Sequence, residues 1–409
     1  MAQIGWIDFS PNHRDRVAAV LDMLKPEGVV DELGIGSIRD ALADEMFPGI
    51  STIQTRAKYF FIVPYLLYDY QRLSSAQQKK ISPDKYLEKR EYEVMWKLAE
   101  QYKDKKETGV IGITKRKPEK IMRRPSAIYW NGLAVFDLIR HGRLGVNSFL
   151  QSRAGVADSL AAEPPQGDDS PRDDVDVEFT NRFQLKLPYD QNWLENLSLD
   201  LTPSEARLLS DRIRATGKEC LISSLAESKE RFKVLENAAT FSDFARIMVS
   251  RKLLSPEIQS RVVLAHDFSE VMFGAHCAYN CILQKQKFSL STFEDNWSDW
   301  RKTLRTSMLD YNGFDMDEAI SLAPNLRSHT SQFVSDWWGF AKSSSQPLQK
   351  RDALVESQEF NTKRHKARIR QNRLDDVSEG KWIGLSRLDY RMYQVRTILK
   401  DVFTGLKGA

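Results

Sequence analysis

The chain has 409 residues, 41% hydrophobic and 28% charged, with a net charge of +4 that permits nucleic-acid binding without arguing for it. It is long enough for two or three domains with buried cores. Three cysteines (Cys220, Cys277, Cys281) cannot all pair, an odd and sparse count that fits a reducing cytoplasm better than a disulfide framework. The first residues lack a basic region followed by an apolar core, so no secretory signal is read there. The longest apolar run, Tyr59–Tyr68, is far too short to span a bilayer, so no membrane partner is expected.

Helical patterns dominate. His13–Lys25 places Val17, Val20, Leu21 and Leu24 on one face. Ser37 opens SIRD, which reads as a capping box for a helix that stops at Phe47-Pro48-Gly49. Thr55–Leu73 reads as a long aromatic helix with Pro64 inside it. Ser82-Pro83 opens the next helix, which runs to about Tyr102. A basic segment, 103–124, follows, with a short strand or small hairpin expected near Val110–Ile113, and then a helix from Ser126 to about Arg140.

Residues 158–178 hold eight acidic residues, one basic residue and three prolines, a composition that disfavours a packed core. This predicts an N-terminal helical domain over 1–157, an acidic loop or linker over 158–178, and a C-terminal helical domain over 179–409. A short strand is expected at Phe183–Leu187. Beyond it, Thr202-Pro203 with Glu205 at the third position, and Ser255-Pro256-Glu257, are helix openings. Helical patterns continue through Thr292–Tyr311, Met316–Leu322, His329–Lys342 and Met392–Phe403. The fold class is therefore mainly α and multi-helical, with a few short strands.

No complete catalytic signature is present. There is no GxxxxGK[ST], no GxSxG and no paired HxK motif upstream of an aspartate. Glu227-Ser228-Lys229 falls in a charged helix, where such a combination arises by chance. Gly34-Ile35-Gly36-Ser37 is a glycine-rich turn opening a helix, and unpaired amides there attract anions. With Arg39 or Arg56 nearby it could hold a phosphate, but with no third glycine and no preceding strand a tight turn with a serine cap is the favoured reading. Ser51–Arg56 could present Gln54 and Arg56 to a ligand or merely cap the aromatic helix, whose Tyr59, Phe60, Phe61, Tyr65 and Tyr68 read as core rather than as a base-stacking platform. His276, Cys277 and Cys281, with His266 upstream, read as residues of a buried helix, and neither a metal nor a cofactor is implied.

Charge clustering is the strongest signal. Residues 103–124 contain nine Lys or Arg against three acids, with Lys115, Arg116 and Lys117 consecutive. Residues 363–373 contain six Lys or Arg and no acid. Read as a helix, that run presents Lys363, Arg364, Lys366, Arg368, Arg370 and Arg373 nearly all round, able to neutralise several phosphates with salt-dependent affinity. Asn361, Gln371 and Asn372 could reach base edges. The alternatives are a protein scaffold whose basic helix meets an acidic partner surface, or the chain's own 168–178 loop, and a plainly solvated face.

The strings GWIDFS (5–10) and DELGIGSIRDALADEMFPGISTIQTRAKYFFIVPY (31–65), together with RRPSAIYWNGL (123–133), LTPSEA (201–206) and the basic C-terminal region, resemble the bacterial family filed as domain of unknown function 6361. The resemblance brings no reaction and no catalytic residues. It implies a setting in anti-phage defence loci, beside helicases, phospholipase-D-like proteins and DNA methyltransferases. The leading expectation is thus a cytoplasmic, non-enzymatic subunit of a defence complex that contacts nucleic acid, chiefly DNA backbone. A protein–protein adaptor is the alternative. A metal-dependent nuclease with dispersed acids such as Asp31, Glu32 and Asp40 is the second.

Overall fold

The computed structural model describes residues 31–105, 108–139, 144–151, 187–217, 219–289, 293–343 and 346–408. The expected helix over His13–Lys25 and the acidic 158–178 segment lie outside these residues, as does Phe183–Leu187 except for its last residue. The described residues are mainly helical and contain no strand. The strand expected over Val110–Ile113 is corrected to turns: Gly109 and Gly112 take φ of +71° and +74°, the left-handed region that strands avoid. No helix among the described residues is long and apolar enough to cross a membrane.

The chain forms two compact units, each built from two separated stretches. One unit comprises Met1–Leu42 and Gln259–Tyr390, and the other Ala43–Ile258 and Arg391–Ala409.

The first unit is organised on the 33-residue helix Pro256–Phe288, of which Val262 to Phe273 and the residues beyond are mostly buried. Because so much of its circumference is covered, its polar side chains serve as anchors for other segments. Asp267, fully buried, accepts the backbone N–H groups of Leu309 and Asp310 at 2.7 and 2.8 Å. Asn280 exchanges hydrogen bonds with the backbone of Ile383. Trp300 and Trp337 donate their indole N–H groups to the carbonyls of Glu270 and Val271. These indoles pack with Trp297 and Phe340 at centroid separations of 5.0–6.3 Å. The approach is that close because residue 274 is glycine: a Cβ there would fall 2.2 Å from the Trp300 ring.

The second unit centres on the helix Tyr59–Gln71, whose residues from Tyr59 to Leu67 are all buried. It packs on Pro83–Gln101 and Pro125–Val135. The helices Pro203–Ala215 and Met392–Lys407 pack on each other. The Thr202 opening forms as its sequence implies: its hydroxyl accepts from the Glu205 amide while Glu205 Oε2 accepts from the Thr202 amide. Glu205 carries a second duty that its position in the box does not announce. Its buried carboxylate also takes the Lys58 ammonium at 2.7 Å and the Tyr65 hydroxyl at 2.9 Å. The same residue therefore starts one helix and fixes another against it.

Gly274→Ala should destabilise the first unit by about 1–3 kcal/mol, because the Trp300 ring is held by the Glu270 carbonyl and packed between Trp297 and Trp337 and cannot yield freely. A lowered urea midpoint with an unchanged m-value would be the expected reading.

Candidate functional site

The expected basic helix over 363–373 is corrected to three pieces. The helix Leu348–Lys363 ends, a single 3₁₀ turn follows at Arg364–Lys366, and one short helical turn spans Arg368–Gln371. The cause is a buried carboxylate. Glu359, fully buried, accepts the backbone N–H groups of Arg368 and Ile369 at 2.7 and 3.0 Å and the Tyr279 hydroxyl at 2.9 Å. Residues nine and ten positions ahead can reach Glu359 only if the chain reverses between them. The reversal falls at Arg364, which takes φ +53° and ψ −118°. A non-glycine residue in such a region costs about 1–3 kcal/mol, so it persists only where surrounding contacts over-determine it.

This geometry sorts the cations of the run. Arg368 is structural: its Nη1 lies 2.5 Å from Glu32 Oε1 and its Nη2 2.6 Å from Asp376 Oδ2. Glu32 is fully buried, and Lys363 Nζ stands 3.5 Å from its second oxygen. Arg370 pairs with the half-exposed Glu356 and lies over the Phe360 ring. Arg364, Lys366 and Arg373 are exposed. Arg373 gives one N–H to the His365 carbonyl. Arg364 and Lys366 enter no ion pair among the described residues.

The glycine-rich turn has its anion within the chain. The amides of Gly34 and Ile35 converge on Asp31 Oδ1, and that of Gly36 on Oδ2, at 2.6–3.2 Å. The helix starts at Gly36, so Ser37 sits in its first turn and Asp31 supplies the acceptor that a serine cap was expected to give. Arg39 pairs with its neighbour Asp40 at 2.9 Å. In the second unit Arg56 is fully engaged: Nε on both oxygens of Asp401, Nη1 on the Thr108 carbonyl and Nη2 on Asp200. Gln54 is likewise internal, its amide donating to the Gly49 carbonyl.

The 103–124 segment closes on its own surroundings. Lys115 pairs with Glu119, and Arg116 donates to the carbonyls of Ile113 and Lys115. Lys117 and Lys120 stand over the stacked rings of Trp96 and Tyr92 respectively, at 5.8 Å each. Its end is held by Glu91, buried to 1% exposure, which accepts the Ser126 amide at 2.6 Å, the Ser126 hydroxyl and Arg124 Nη1. Burial pushes the Glu91 carboxyl up to about 7, against the downward pull of these donors.

The residues expected as a metal question lie inside the long helix. Cys277 and Cys281 are buried, and burial pushes the Cys277 thiol up to about 12. His276 is fully buried with neither ring nitrogen hydrogen-bonded, and burial drives its pKa down to about 3. Among the described residues no group of three or more His, Cys, Asp or Glu is arranged to hold a metal.

The chain belongs to DUF6361, a family of unknown function whose model matches residues 1–402. No curated protein and no solved structure matches the chain.

Two stability measurements follow from this arrangement. Arg368→Ala strands the buried Glu32 carboxylate and should cost about 3–5 kcal/mol, whereas Arg370→Ala should cost less than about 1 kcal/mol. Equal denaturation midpoints for the two variants would contradict the assignment. For Glu91, the folded chain holds its proton more tightly than the unfolded chain does, since the pKa rises from 4.5 to about 7. Its contribution is therefore fully present below about pH 4.5 and lost as pH rises through 7. Relative to the native chain, Glu91→Gln should become less unfavourable between pH 5 and 8, by up to about 3 kcal/mol, as read from denaturation midpoints across that range.

Proposed function

We propose that this chain is a non-enzymatic nucleic-acid-binding subunit that grips the sugar–phosphate backbone through Arg364, Lys366 and Arg373. The observation that carries the reading is the strained turn at Arg364. A costly backbone conformation, fixed by Glu359, holds exposed cations in solvent, while the neighbouring Lys363 and Arg368 are taken up by the buried carboxylate of Glu32. Strain held in place by a buried network is a common mark of a functional position. Cations free of carboxylates are what a phosphate chain requires, since each can displace condensed counterions.

The non-enzymatic part of the reading draws on the acids considered for a nuclease. Asp31 is committed to three backbone amides, Glu32 to Arg368, and Asp40 to Arg39. Each of the three already answers donors of the chain itself, which speaks against a shared role in activating a water or holding a cation. The setting, an anti-phage defence complex with partners such as a helicase or a phospholipase-D-like protein, is proposed on the family resemblance alone.

Binding of a mixed-sequence DNA duplex to the full chain, titrated across salt concentrations, tests the proposal. Affinity should fall linearly on a log–log plot, with a slope of about −0.9 per phosphate contacted. Replacing Arg364, Lys366 and Arg373 together by Gln should shallow that slope by about 2–3 while leaving stability nearly unchanged. Absence of salt-dependent affinity, or a slope untouched by the triple replacement, overturns it. Loss of partner co-purification with unchanged DNA affinity would identify the surface as a protein-binding one.

A further inference from the structure

The second unit contains a solvent-open cleft of about 350 Å³, at the lower end of the range for small-molecule sites. Its lining combines the guanidiniums of Arg72 and Arg90, the carboxylates of Asp69 and Glu195, and aromatic rings led by Tyr189 and Trp193.

The aromatic wall is built rather than incidental. Asp69 Oδ1 accepts the Tyr189 hydroxyl at 2.5 Å, and Oδ2 accepts the Trp193 indole N–H at 3.2 Å. The two rings also pack on Tyr65, at centroid separations of 5.6 and 5.4 Å. Burial, reinforced by the Asp69 bond, holds the Tyr189 phenol well above its ordinary pKa, so it remains a donor to Asp69 across the physiological range. Asp69 is thereby committed to the wall.

The cations on the lining are less committed. Arg72 stands over the Tyr68 ring, 5.9 Å from its centroid, and enters no ion pair among the described residues. Arg90 gives Nη1 to Glu93, but its Nε is buried with no hydrogen-bond partner. The Arg90 side chain is about one-quarter exposed, so the accessible part of its guanidinium can take a ligand oxygen in addition to Glu93. Two guanidiniums suit the oxygens of a phosphate monoester, which they can engage in a forked manner. The rings suit a flat heterocycle. Glu195, on the same lining and exposed, can accept an N–H from that heterocycle but repels a carbonyl oxygen placed there.

We propose that this cleft binds a nucleoside monophosphate whose base carries an exocyclic amine, with Arg72 and Arg90 on the phosphate, the half-buried Tyr189 ring against the base, the buried Trp193 backing that wall, and Glu195 on the amine. The site is independent of the Arg364 turn, which lies in the other unit.

Isothermal titration of the full chain with CMP, UMP and cytidine tests it. CMP should bind saturably, and UMP and cytidine each about tenfold more weakly, the first for its missing amine and the second for its missing phosphate. Arg72→Gln, an exposed change, should weaken CMP by about tenfold and leave cytidine unaltered. No saturable CMP binding at millimolar concentration, or CMP affinity unchanged by Arg72→Gln, overturns the site. The Gln replacements at Arg364, Lys366 and Arg373 should leave CMP binding intact, so loss of the backbone contact and loss of the cleft are read separately.

Discussion

A carboxylate removed from water must be met by donors, and in this chain the donors come from segments far away in sequence. Glu32 is met by Arg368, Glu205 by Lys58 and Tyr65, Glu270 by Arg387, and Asp401 by Arg56 and the Ala57 amide. Each acid fixes one element against another within its own unit. Replacing such pairs with hydrophobic residues is often energetically neutral, so their main effect here is geometric. They decide where each helix ends and which backbone groups face it. The reversal at Arg364 follows from this constraint, because Glu359 can collect the amides of Arg368 and Ile369 only if the helix before them stops.

The consequence for charge is a division of labour among residues that look alike in the sequence. The basic run 363–373 contains six cations. Three of them, Lys363, Arg368 and Arg370, answer carboxylates of the same unit, and the other three remain at the surface. The glycine-rich turn shows the same economy. Its amides form an anion nest, and the anion is Asp31. A local pattern that attracts phosphate attracts a carboxylate from the same chain equally well.

Local physics was legible in the sequence to the extent that it stayed local. Pro83, Pro203 and Pro256 each stand at a helix start, because proline lacks the N–H that the first turn leaves unpaired and a serine or threonine precedes it. The aromatic residues Tyr59 to Tyr65 were readable as core for the same reason, since their density left no polar face. Val110–Ile113 misled because its branched residues favour strands while Gly109 before it and Gly112 within it set the turns. The 363–373 run misled because nothing in its composition breaks a helix; the break is imposed by Glu359. The cleft was not legible at all. Asp69 and Arg72 lie on one helix end, Tyr189 and Trp193 about 120 positions later, and no motif joins them.

The interleaving of the units has a bearing on how the protein is made. Glu32 and its partner Arg368 are separated by 336 positions. At a synthesis rate of about 5–20 residues per second, the arginine emerges roughly 15–70 seconds after the glutamate. Leu33, Ile35 and Ile38, all fully buried in the finished unit, emerge well before the Gln259–Tyr390 stretch that completes that unit. The other unit likewise waits for Asp401 before Arg56 is satisfied. Each unit is therefore completed only when its later stretch has been synthesised, Gln259–Tyr390 for the first and Arg391–Ala409 for the second, and the early apolar residues of each remain without their full set of neighbours until then.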